Sequence, residues 1–359
     1  MFELIPENLL AAALGLIGGL VLGLASRLAR FCTLGAIEDA LYAQNYTLVR
    51  MWGVAIGSAI IFVSLGMFNG WIVLETSAIR AVPFTPLLTI IGGIIFGAGM
   101  AFAGNCGFGA LSRLGGGDLR SFVIVLVMGI TTYTVSSGVF SSINAWLRDI
   151  FTISQKTPGF VDPIVSYSGA PSETVGLLVG FIFLAIALQD RIFRQSAKHV
   201  FWGLMVGLAI ASGWIGMHYL SQHGFEDMPV ISHSFTAPIG ATILYAMTSL
   251  GGGLNFAIGS VVGVWTGALI GSVFKGHFRL EACEDPKELQ RQILGAILMG
   301  VGATFAFGCS IGQGLSAMAV LSLNAPIALL SIFLGARLGL GYLITGRFMY
   351  LKNRIIPRS

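Results

Sequence analysis

The sequence predicts an all-α polytopic membrane protein: about nine transmembrane helices plus short re-entrant or half helices, in one transmembrane domain covering residues 1–359. Three observations carry this. The chain is 55% hydrophobic and 10% charged, with a mean hydropathy of +0.85, and apolar runs near the roughly 20 residues of a bilayer crossing recur from end to end. Its 49 glycines are about twice the usual share, which suits closely packed and broken helices. Finally, GIIFGAGMAFAGNCGFG at 93–109 and AILMGVGATFAFGCSIG at 296–312 superpose without a gap, so that Gly97, Gly99 and Gly109 fall on Gly300, Gly302 and Gly312, and Cys106 falls on Cys309. That match reads as a duplication.

In chain order, full crossings are expected at 8–26, 50–68, 86–104, 121–146, 174–190, 200–219, 253–274, 292–308 and 326–346. The first run follows Glu3 and Glu7 and ends at Arg27 without a small-residue cleavage site, so it reads as a span and not as a secretory signal. Shorter apolar pieces at 31–44, 107–115, 235–250 and 312–323 cannot span alone and read as re-entrant or half helices. Glycines spaced by four, at 15, 19 and 23 and at 259, 263, 267 and 271, place small residues on one helix face for close packing. The charged stretch 275–291 reads as a solvated link.

Loop charge sets the orientation. Arg27, Arg30 and Arg50, then Arg113 and Arg120, then Arg191, Arg194 and Lys198, then 275–291 and finally Arg347, Lys352, Arg354 and Arg358 all fall on one side, which is expected to be cytoplasmic. Acidic or mixed segments, with Glu3, Glu7, Glu75, Arg80, Arg148, Glu173, Glu226 and Asp227, fall on the other. The N-terminus is then outside and the C-terminus cytoplasmic. On this topology the helix ending at Cys106 runs inward and the helix ending at Cys309 runs outward. The halves, approximately 8–120 and 233–346, are therefore expected to be inverted repeats, whose breaks face each other near the bilayer midplane.

Each repeated break is followed by the start of a short helix, where free N–H groups carry partial positive charge and glycine allows close approach of a ligand. Gly107, Gly109, Gly308 and Gly312 are the candidate close-approach positions, with Asn105, Ser310 and Gln313 as added donors. Cysteine is a weak S–H donor with a polarizable sulfur, suited to a soft anion that must also leave. Cys106 and Cys309 are thus candidate contacts. Cys32, in Arg30-Phe31-Cys32, stands outside the duplicated stretch but beside two arginines, which chiefly anchor the first helix. Cys283 sits among acids in the polar link, and no role is assigned to it.

Other chemistry finds little support. The four cysteines include no Cys-x-x-Cys pair, which argues against a dithiol redox motif or a zinc site. The five histidines lie near the ends of apolar runs, where interfacial or loop roles are expected, and no metal or other cofactor is implied. The net charge of +4 reflects basic loops, and no Lys/Arg cluster interleaved with aromatics suggests nucleic acid.

Arg30-Phe31-Cys32, the Gly-Asn105-Cys106-Gly-Phe-Gly109 break and Phe-Gly308-Cys309-Ser-Ile-Gly312-Gln-Gly together resemble the YeeE/YedE family of membrane proteins for thiosulfate and related sulfur compounds. The resemblance covers nearly the whole length. It implies thiosulfate uptake through an hourglass-shaped fold of the inner membrane, with Cys32, Cys106 and Cys309 lining the route and relaying the ion. It also implies coupling to small cytoplasmic sulfur carriers of the TusA-like type, of which no fused copy is expected here. Asn105 and Phe108 depart from the Gly-Gly-Cys pattern common in the family, which bears on the substrate. The expected function is uptake of thiosulfate or a similar small sulfur-containing anion. Two alternatives stay open: a membrane thiol-dependent sulfur transferase or reductase, and a passive re-entrant-loop pore for small solutes.

Overall fold

Long and short helices alternate along the chain. The structure, a computed structural model, describes residues 6–74, 77–225, 228–248, 253–281 and 285–346; Cys283 and the basic tail beyond Gly346 lie outside them. A first series comprises α1 (Glu7–Ala29), the short α2 (Thr33–Tyr42), α3 (Thr47–Phe68), α4 (Pro86–Ala103), the short α5 (Gly107–Gly115) and α6 (Leu119–Ser136). A connecting group follows: α7 (Ser141–Phe151), α8 (Asp162–Ser168), α9 (Ser172–Ala187) and α10 (Arg191–Gln195). The second series is α11 (Ala197–His223), the short α12 (Thr236–Thr248), α13 (Phe256–Phe274), α14 (Pro286–Phe305), a short helix at 310–319 wound as a π-helix over Gly312–Ala317, and α15 (Asn324–Thr345). Among the described residues there are isolated bridges but no strands.

The chain is an all-α polytopic membrane protein. Among the described residues, seven helical segments are long and apolar enough to cross a bilayer, namely Glu7–Tyr42, Thr47–Phe68, Pro86–Gly115, Leu119–Ser136, Ala197–His223, Phe256–Phe274 and Asn324–Thr345. The helix α9 is apolar but shorter, and α14 opens on the charged run Lys287, Glu288 and Arg291. One expected crossing differs. The run 121–146 is two helices, because Ser136, Ser137 and Gly138 are poor helix formers and the Gly138 N–H closes α6 on the Tyr133 carbonyl at 3.0 Å.

Glycine faces govern the packing. On α1, a Cβ at Gly15 would lie 2.9 Å from the Ser260 nitrogen, and one at Gly23 would lie 2.8 Å from the Ala268 nitrogen. One at Gly263 would lie 3.0 Å from the Gly19 Cα. The two glycine ladders therefore face each other, and α1 and α13 run parallel with backbones in contact. The helix α4 is gripped from two sides. Gly93 and Gly97 meet α15 near Ala328 and Ala336, in parallel, whereas Gly92 and Gly99 meet α14 near Ala306 and Gly295, antiparallel. Gly300 of α14 packs in turn on Met128 and Thr131 of α6.

Candidate functional site

Three breaks share one construction. The helices α1, α4 and α14 each give way to a residue in the left-handed region: Arg30 (φ 59), Gly104 (φ 71) and Phe307 (φ 56). Each stands two residues before a cysteine, and each cysteine opens a short helix. The first helical bonds run from the Ala36, Ala110 and Gln313 N–H groups to the carbonyls of Cys32 (3.1 Å), Cys106 (2.8 Å) and Cys309 (2.8 Å). The sulfurs then take the place usually held by a Ser or Asp oxygen at a helix start. Cys106 Sγ accepts from the Gly109 N–H at 3.3 Å, and Cys309 Sγ accepts from the Gly312 N–H at 3.4 Å. Cys32, at the same position of α2, makes no such cap bond. Cys-x-x-Gly thus occurs three times, at 32–35, 106–109 and 309–312. Cys32, expected to stand apart from the duplication, has the same local frame.

Over Gly109 the polar atoms converge. A Cβ built there would lie 3.5 Å from Cys106 Sγ, 3.5 Å from Cys32 Sγ and 3.6 Å from Asn105 Oδ1. The Cys32 and Cys106 sulfurs thus face the same point. Over Gly312 the pattern recurs with a hydroxyl. A Cβ there would lie 3.8 Å from Cys309 Sγ and 2.7 Å from the Oγ of Ser234, and that Oγ is 3.8 Å from Cys309 Sγ. Ser234 was not singled out from the sequence; its only signal is its place just ahead of the apolar segment at 235–250. Thr33 Oγ1 donates to Ser310 Oγ at 2.9 Å and ties the first break to the third.

The remaining candidates divide by what they touch. Gly107 packs against Met128, where a Cβ would lie 2.7 Å from its methyl group, so its missing side chain serves α6. Gly308 has φ 153, a backbone glycine favours. Gln313 was expected as a donor, but its Nε2 is committed to the carbonyls of Ala306 (3.0 Å) and Phe307 (2.9 Å), and Oε1 is left without a partner. His218 and His233 are buried; His233, in the loop between α11 and α12, lies against Gly18 and bonds Ser260 Oγ through Nδ1 at 2.7 Å.

An aromatic wall closes the thiols in. Trp52 stacks on Phe31 at 4.9 Å, Phe31 meets Phe108 edge-on at 6.4 Å, and Phe108 meets Phe235 at 5.2 Å. Cys106 is fully buried, Cys309 nearly so, and Cys32 only partly. Beside Cys309 lies a cavity of about 180 Å³ whose lining includes Ser232, Ser234, Ser260, Gly312, Ser316 and Phe307. It is roomy enough for a small hydrated ion. A larger cavity of about 440 Å³ between α6, α7 and α14 is almost wholly apolar and holds none of the thiols.

The family model described as sulphur transport matches residues 28–338, a span that takes in all three breaks. The chain belongs to this sulphur transport family. It is the YeeE/YedE family that the cysteine motifs resemble. Among its relatives, the thiosulfate transporter TsuA of Spirochaeta thermophila is 25% identical over 336 residues, covering 89% of this chain and 96% of that protein. The thiosulfate transporter TsuA of Escherichia coli strain K12 is also 25% identical, over 331 residues, covering 89% and 91%.

Proposed function

We propose that this member of the sulphur transport family carries thiosulfate, or a similar small sulfur-containing anion, inward across the inner membrane. The observation that supports it best is the pair of convergent sites: two thiols and the Asn105 amide over Gly109, and a thiol and the Ser234 hydroxyl over Gly312. An anion shedding water into the cavity meets Ser234 and Cys309 first, then the Cys106 and Cys32 pair. Each contact is a weak donor beside half-helix N–H groups, so no step holds the ion too tightly for the next. The two relatives named as thiosulfate transporters agree with this substrate.

The packing favours inverted repeats. The duplicated helices α4 and α14 are antiparallel partners, and Gly97 meets α15 as its counterpart Gly300 meets α6. Nine crossings, including α9 and α14, then give an N-terminus outside and a cytoplasmic C-terminus. The proposed inner face is basic: Arg27 donates to the Arg113 carbonyl at 3.2 Å, and Lys275 donates to the Arg27 and Leu28 carbonyls at 2.7 and 3.1 Å. Partial burial, with Lys198, Arg27 and Arg30 nearby, holds the Lys275 ammonium below the usual lysine range. Such a face suits docking of a TusA-like sulfur carrier.

The test is uptake of labelled thiosulfate into liposomes containing only this protein. Cys32→Ala, Cys106→Ala and Cys309→Ala are each expected to abolish it, and Cys283→Ala to leave it intact; normal uptake by a well-folded Cys106→Ala protein overturns the proposal. One observation favours a second reading. Although no Cys-x-x-Cys exists, the Cys32 and Cys106 sulfurs converge over Gly109, a juxtaposition that suits a dithiol in sulfur transfer or reduction. A persulfide or mixed disulfide trapped on either thiol during turnover, without net uptake, would select that reading.

A further inference from the structure

Phe307 occupies a position out of proportion to its chemistry. It lines the cavity beside Cys309, stands two residues before that thiol, and holds a left-handed conformation that residues with side chains seldom adopt. Its backbone is pinned by Gln313, which donates to its carbonyl at 2.9 Å. Against the ring lies the guanidinium of Arg148 from α7, with Cζ 4.0 Å from the ring centroid.

The surroundings of Arg148 are as informative. Arg148 Nε donates to Asn144 Oδ1 at 3.1 Å, and an Nη2 hydrogen goes to the Thr304 carbonyl at the end of α14, at 2.9 Å. Among the described residues no carboxylate lies within ion-pair distance of it. The other partly buried arginine of this face, Arg80, contrasts with it, being matched by Asp162 at 2.7 Å. Burial pushes the Arg148 guanidinium below its usual value. Among the described residues, Arg148 is therefore a partly desolvated cation facing a ring and two neutral acceptors.

We propose that Arg148 and Phe307 form an anion gate ahead of Cys309, in which Arg148 captures a small oxyanion and Phe307 closes the cavity until it does. The guanidinium binds a tetrahedral oxyanion through charge-assisted bonds stronger than its contact with the ring. Capture draws the cation off the ring, which then turns aside and exposes Ser234 and Cys309. This rests on the reading of the chain as an anion carrier, and it assigns to Arg148 a selection step that the cysteines, as weak neutral donors, do not provide. The bland role for Arg148, capping α14 through Thr304, requires no anion.

The test uses the full chain with Cys32, Cys106 and Cys283 replaced by alanine, so that Cys309 is the sole thiol, in intact cells. Labelling of Cys309 by an anionic methanethiosulfonate is compared with labelling by a cationic one of equal size. The anionic reagent is expected to react faster, and Arg148→Gln to reduce that preference at least tenfold while Arg148→Lys retains most of it. Asn144→Asp, which sets a carboxylate against the guanidinium with little change of shape, is expected to abolish it too, and Phe307→Ala to speed labelling by both reagents. In the chain with all its cysteines, Arg148→Gln is expected to raise the half-saturating thiosulfate concentration tenfold or more. The gate is overturned if the parent shows no charge preference. It is equally overturned if Asn144→Asp keeps the parental preference, including where Arg148→Gln fails to fold and gives no reading. Absence of thiosulfate uptake with the reagent preference intact would instead count against the substrate and leave the gate standing.

Discussion

Gly109→Ala separates a thiol site from thiol packing. A methyl group at this position meets no backbone closer than ordinary contact distance; its neighbours would be Cys106 Sγ and Cys32 Sγ at 3.5 Å and Asn105 Oδ1 at 3.6 Å. The N–H that caps Cys106 is kept. Alanine in place of glycine in a helix contributes up to about 0.5–1 kcal/mol, so the melting midpoint in detergent is expected to equal or exceed that of the parent. Transport is expected to move the other way. The methyl group fills the point on which both sulfurs converge and holds an anion away from them. Hydrogen bonds to a charged group contribute about 1.5–3 kcal/mol each, and thiols sit at the low end. Losing two removes about 3 kcal/mol, or roughly a hundredfold in uptake efficiency. The measurement pairs a melting curve with initial rates of labelled thiosulfate uptake in liposomes. Parental uptake by the alanine protein would show that the ion does not pass over Gly109, and a strongly lowered midpoint would show that the space above it is not as described.

Three further substitutions probe the frame. Gly263→Ala sets a Cβ 2.9 Å from the Leu20 nitrogen and must part α1 from α13, so a loss of about 1–3 kcal/mol is expected, read as a lower melting midpoint with unchanged half-saturation. Trp214→Phe removes the indole N–H donated to the Ser316 carbonyl at 3.1 Å inside the π-helical stretch, and losing that buried hydrogen bond is expected to cost about 0.5–1.5 kcal/mol in thermal or denaturant stability. Thr33→Val deletes the 2.9 Å bond to Ser310 that couples the first break to the third; a loss of about 1 kcal/mol is expected, with a reduced maximal uptake rate.

The parts of this molecule that obey composition and spacing could be read from the chain. Runs of apolar residues announced the helices, and four-residue glycine spacing announced faces that do meet, Gly15 to Gly23 against Gly259 to Gly267. The break at Cys106 was legible because glycines surround it. The equivalence of the Cys32 break was not, because Arg30 takes there the left-handed conformation that glycine takes at 104, and a basic residue at a helix end reads first as a membrane anchor. The convergence of Cys32 with Cys106 over Gly109 and the meeting of Ser234 with Cys309 depend on tertiary packing across 74 and 75 residues, which no local pattern encodes. Gln313 misled for a related reason: a side chain rich in donors beside a break is as readily taken by the carbonyls that the break itself exposes.

The buried row Trp52, Phe31, Phe108 and Phe235 has an electrical consequence. Cys106 has no exposed surface, so among the described residues no file of water reaches its sulfur through the rings. On the proposed transport reading, rings that stay closed at rest keep protons and sodium ions from following the anion, and the membrane potential is not discharged through the protein. On the transport reading proposed above, passage is given to a solute that parts the rings and lies against sulfur.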